Sequence, residues 1–105
     1  MLAVKVTITR YVSDDPQPGV VECELLDVHG RRWRFLEKTA VVSTNGLDAN
    51  APYPQPGVIA AEAIRRSRDL AGREVVRIDT ERPWGVASID GITQFDVPPE
   101  CLVEL

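Results

Sequence analysis

The sequence predicts a mainly β protein, a small antiparallel barrel or sandwich of six to seven strands built from hairpins. Three observations carry this expectation. Apolar and polar residues alternate over 2–12, the period-two signature of a strand with one buried face. Turn residues recur about every ten positions, as in small all-β folds. Two segments, 20–37 and 84–97, each place a glycine turn between β-branched and aromatic runs, which is the pattern of a hairpin.

With 105 residues, the chain is expected to form a single β domain, 1–105. Apolar residues make up 44% and charged residues 27%, the globular range. The net charge of −4 repels phosphate backbones and makes general nucleic-acid binding the less favoured partnership. The opening MLAVKVTITR alternates and lacks a basic stretch followed by an apolar block, so no signal peptide is expected. No apolar run approaches the roughly 18 residues of a spanning helix, so no membrane partner is expected. A cytoplasmic protein of bacterial type follows. Cys23 and Cys101 match no metal or redox spacing and are expected as free thiols.

Leu2, Val4, Val6 and Ile8 alternate with Ala3, Lys5, Thr7 and Thr9, giving the first strand. The run Asp14-Asp15-Pro16-Gln17-Pro18-Gly19 ends it. Val20–Asp27 and Arg31–Glu37 then flank Val28-His29-Gly30, which suits a type I turn followed by a left-handed glycine. Setting Asp27 opposite Arg31 fixes the register. Leu25 then meets Trp33 and Cys23 meets Phe35 on an apolar face, while Glu24 meets Arg34 on the other. A slip of one residue scrambles both faces.

Residues 40–57 carry turn formers and alternating prolines and read as irregular chain strapped over one end of the fold. Residues 58–70 admit two readings. Ile59, Ala60, Ala63 and Ile64 have helical spacing, yet Asp69-Leu70-Ala71-Gly72-Arg73 repeats the turn pattern of Asp27–Arg31. As a hairpin it sets Ile64 against Ile78, Arg66 against Val76 and Arg68 against Glu74, with Arg65 against Arg77 as a like-charge fault. Strand is preferred over one helix at 58–70. Glu74–Thr80 reads as a strand with Val76 and Ile78 inward. Trp84–Ile89 and Ile92–Val97 flank Asp90-Gly91, a two-residue turn pairing Val86 with Phe95 and Trp84 with Val97. Pro98-Pro99 ends the sheet, and Cys101–Val103 adds a short closing segment.

No catalytic constellation emerges. The sole histidine, His29, falls within a hairpin turn and reads as a turn residue. Cys23 is assigned to the core, where burial keeps a thiol inert. The acids match no calcium loop, no glycine loop suits a nucleotide, and neither a metal nor a cofactor is expected. Arg31-Arg32-Trp33-Arg34-Phe35 resembles a single-strand stacking platform, but strand alternation sends Trp33 and Phe35 to one face and Arg32 and Arg34 to the other. Tyr53-Pro54 and Arg82-Pro83-Trp84 place aromatics in proline loops, which suit partner contact because stiff chain loses little entropy on binding. The leading expectation is a non-enzymatic protein-interaction or accessory module binding through Tyr53, Pro54, Arg82 and Trp84. It is a monomer or a weak homodimer. The alternative is a single-stranded nucleic-acid-binding barrel using Arg32, Arg34, Arg65 and Arg66.

Overall fold

A computed structural model describes all residues, 1–105. It contains eight strands: β1 (Leu2–Ser13), β2 (Val20–Leu26), β3 (Arg32–Lys38), β4 (Gln55–Ala60), β5 (Glu62–Arg68), β6 (Glu74–Asp79), β7 (Gln94–Val97) and β8 (Leu102–Glu104). A single helical turn, α1 (Thr39–Val42), follows β3, and a 3-10 turn covers Pro99–Cys101.

The strands form two antiparallel sheets. The larger has the order β3-β2-β1-β4, with β8 also on β1, and the smaller has the order β5-β6-β7. One edge of β1 is shared between β2 and β8, while its other edge pairs with β4 through Ala3–Ala60 to Ile8–Gln55. The β2–β3 register is the one the sequence dictates: Leu25 opposite Trp33, Cys23 opposite Phe35 and Glu24 opposite Arg34. Asp27 closes the turn by a backbone bond to Arg31 at 3.0 Å. Its carboxylate accepts from the backbone N–H groups of His29 and Arg31, at 2.8 and 2.9 Å.

The same turn recurs at Asp69–Arg73, with matching backbone bonds and matching carboxylate caps. Gly30 and Gly72 both take left-handed φ angles, 79° and 80°, where a Cβ is strained. Residues 58–70 therefore hold strand rather than helix, the end of β4 and all of β5 with a break at Ala61. The turn chemistry and the pairing of β4 to β1 and of β5 to β6 outweigh the local alanine-rich propensity. The register departs from expectation at one place. A bulge between Ala63 and Arg65 sets Ala63, not Ile64, opposite Ile78, and leaves Ile64 50% exposed. Arg65 does oppose Arg77, but Arg77 is held by Asp96 on β7.

The region before β7 corrects the sequence reading further. Ser88 bonds Ile92, and the turn closes through Gly91 to Ser88. The loop thus holds three residues rather than two, and 84–89 is not a strand. Instead the chain reverses at 81–85, where Gly85 donates to Glu81 and Val86 to Thr80. The buried Thr80 hydroxyl donates to the Val86 carbonyl at 2.6 Å. Val97 faces Val76 and Phe95 faces Ile78, so neither Trp84 nor Val86 takes the partner expected of it.

One core spans both sheets, joining Val4, Ile8, Cys23, Phe35 and Ile59 to Val76, Ile78, Phe95 and Val97. Phe95 contacts Phe35 edge to face, with centroids 5.6 Å apart. The chain passes from one sheet to the other at Ala61, between β4 and β5. At the opposite corner Val28 donates to the Asp96 carbonyl and Ile89 to the Arg34 carbonyl. The sheets do not close into a barrel. β4 pairs with β1 on one side only, and β5 pairs only with β6 and has all seven residues exposed.

Candidate functional site: the groove beside β4

The open edge of β4 borders a groove of about 480 Å³, within the size range of binding clefts. Its floor is the outer face of the large sheet, formed by Pro56 and Val58 of β4, Lys5 of β1 and Val103 of β8. One wall is α1 with the following Ser43–Asn45, and the other is Trp84, which is 45% exposed. Lys5 is the only charged side chain among the lining residues. Its ammonium donates one hydrogen bond, to the Glu100 carbonyl at 3.2 Å.

Local sequence explains the groove. Pro56 has no N–H and is tolerated in a strand only where that side faces no partner. Gly57 turns toward the core: a Cβ there would lie 2.7 Å from Ile8 Cδ1 and 3.0 Å from the Val42 carbonyl oxygen. The missing side chain lets α1 come down against β4. Ala61 donates to the Leu2 carbonyl at 3.1 Å. Residues of an antiparallel strand turn alternately to opposite neighbours. Gly57 and Ile59 therefore bond β1, whereas Val58 presents its N–H and C=O, and Pro56 its C=O, to the open side.

The four residues singled out from the sequence are not brought together. Trp84 lines the groove, and Arg82 is exposed outside it. Tyr53 packs on the core, its hydroxyl donating to the Asp48 carbonyl at 2.8 Å, and burial raises its pKa. Pro54 is exposed just ahead of β4. Lys5, Val58 and the α1 wall were missed. The signal available for them was Pro56-Gly57, which marks a strand with an open edge and a close neighbour.

The arginines divide between the sheets, Arg32 and Arg34 on β3 and Arg65 and Arg66 on β5. Three of them have carboxylate partners: Arg32 with Glu24 at 3.4 Å, Arg34 with Glu22 at 3.5 Å and Arg66 with Glu74 at 3.2 Å. Trp33 points to the core side as expected, capped by the Arg31 guanidinium 3.8 Å from its ring centre. Its indole N–H donates to Asp27 at 2.9 Å.

Elsewhere the polar groups serve the architecture. His29 Nε2 lies 3.3 Å from Asp96 Oδ2, which makes Asp96 its side-chain partner. The paired Arg77 guanidinium holds the Asp96 carboxyl below the usual range, with His29 assisting. Burial pushes the Cys23 thiol up to about 12, with the Glu37 and Glu22 charges adding to it. Burial likewise keeps the half-buried Glu37 carboxyl above its ordinary value. No helix is long and apolar enough to cross a membrane. Set against known proteins, the chain matches no family model, no curated protein and no solved structure.

Proposed function

We propose that this chain is a non-enzymatic protein-interaction module whose recognition face is the groove beside β4. The carrying observation is Trp84, a large aromatic left 45% exposed over an apolar floor on the one edge of the large sheet flanked by such a cleft. Exposed aromatics beside a preformed apolar cleft are the usual anchors of partner binding. The catalytic reading has less support, because the single histidine sits exposed in a hairpin turn and the buried Cys23 thiol is poorly ionised. The nucleic-acid reading has less as well, since three of its four arginines face carboxylates.

A photo-crosslinking side chain at position 84, with the same group at Leu36 as control, tests the proposal in lysate of the source organism. Leu36 is 46% exposed, which matches the exposure of the two probes. The expected result is a discrete adduct from position 84 alone, suppressed by excess wild-type protein but not by excess Trp84→Ala. Equal labelling from both positions, or competition by the alanine variant, overturns the assignment of this face.

A further inference from the structure

We infer that the groove receives an extended segment of a partner protein as an added strand on β4, with an acidic side chain of that segment directed at Lys5. This rests on the reading of the groove as the recognition face. Three features of the same place carry it.

The first is backbone chemistry. Val58 presents one N–H and one C=O away from β1, and Pro56 one further C=O. Such groups on an open edge are the template for strand addition. Pro56 cannot donate, so an incoming strand gains its bonds around Val58, which limits the register it can take. A compact ligand could fill the apolar volume but would leave these groups without partners.

The second is charge. Lys5 stands opposite Val58 on β1, on the same outer face and one strand in from the edge. An added strand would lie two strand spacings from β1, roughly 9.6 Å, a gap that a lysine and a glutamate side chain bridge together across Val58. The ammonium has three N–H donors, and one is occupied by the Glu100 carbonyl. The protein as a whole is acidic, at −4, so an acidic segment is repelled over most of the surface and this cation supplies discrimination.

The third concerns the occupant. A second copy pairing through the same edge would offer Gln55–Ala60, a stretch with no acidic residue, and so nothing for Lys5. A partner segment with apolar side chains beside Trp84 and Val103 and a carboxylate between them matches the lining. The β5 edge is different in kind: it carries Arg65, Arg66 and Arg68, charges of the sort that discourage strand pairing.

Selection of a displayed library of linear peptides on the full chain tests this, followed by fluorescence anisotropy with the synthesised winners. The expected winners alternate apolar and polar residues around one acidic residue. Lys5→Gln should weaken such a peptide about tenfold, and should leave unchanged the same peptide with glutamine replacing its acid. N-methylation of the peptide at one set of alternate positions should abolish binding, while the other set is tolerated. That contrast requires no change to the protein and therefore no assumption about folding. Winners with helical spacing, indifference to Lys5→Gln, or no winners at all overturn the inference. A position-84 adduct obtained alongside such a result keeps the recognition face and removes only strand addition. Loss of the adduct with Lys5-dependent winners intact keeps strand addition in the groove and removes only Trp84 as the contact made with the native partner.

Discussion

Arg77 on β6 grips Asp96 on β7 with two hydrogen bonds, Nε to Oδ1 at 2.8 Å and Nη2 to Oδ2 at 3.1 Å. The pair neutralises the cation that faces Arg65 across the β5–β6 ladder, so a like-charge contact becomes tolerable. The Asp96 carboxyl is held low by the Arg77 hydrogen bonds. Its contribution to stability is therefore present above the unfolded carboxylate pKa of about 3.9, and is lost as pH falls through the lower folded value. Asp96→Asn should cost about 1–2 kcal/mol near neutral pH. Urea unfolding at neutral pH and in acid should show the gap between wild type and variant closing in acid. A gap independent of pH would show that the carboxylate charge is not what stabilises the pair.

The sequence carries the β2–β3 hairpin in full because two independent requirements, apolar pairing and charge pairing, agree on one register. It carries the Asp69–Arg73 turn because an aspartate cap and a left-handed glycine are needed at fixed spacing. It does not carry the bulge between Ala63 and Arg65, because a bulge breaks the period-two alternation from which the rest of the register is read. The turn at 81–85 is hidden for a similar reason: the Thr80 hydroxyl bond to Val86 is a contact that no period in the sequence records. Trp84 was legible as a proline-loop aromatic suited to partner contact, though not in the strand opposite Val97 where the sequence also set it. Its neighbours Lys5 and Val103 come from the two ends of the chain, and only the β1–β8 pairing unites them.

Gly57 is where core packing and groove shape meet. Gly57→Ala places a methyl within 3.0 Å of the Val42 carbonyl oxygen, a backbone atom, as well as against Ile8. Overpacking of this kind costs about 1–3 kcal/mol. Relief requires α1 to move away from β4 and so to widen the groove. Gly46→Ala, where an added Cβ meets nothing within 4 Å, should leave the denaturation midpoint nearly unchanged. Equal midpoints for the two variants would show that the α1–β4 contact is not tight.

The two thiols should separate by reactivity. Cys23 is fully buried, with its pKa pushed up to about 12 by desolvation, so at mildly alkaline pH it stays almost wholly the unreactive thiol. Cys101 is also raised by burial, but is only partly enclosed. Iodoacetamide should alkylate Cys101 in the native protein and reach Cys23 only when urea opens the core. Comparable native rates at both sites, read by peptide mass spectrometry, would contradict the placement of Cys23.

Phe95 links the two sheets by meeting Trp33 edge to face, with centroids 5.3 Å apart and planes at 69°, while its other side contacts Phe35. No strand ladder joins β3 to β7, so side-chain packing bears much of the connection at this corner. Phe95→Ala should cost about 3–5 kcal/mol, the range for a buried aromatic truncated in a core. The ring pair itself should account for about 0.5–1.5 kcal/mol. A double-mutant cycle of Phe95→Leu with Trp33→Leu isolates that share, because leucine retains much of the buried volume. Trp33 also donates to Asp27, a bond both Trp33 variants lose alike, so it cancels from the coupling energy. A coupling near zero would mean that the rings are merely adjacent and that the sheets are joined by bulk apolar burial alone.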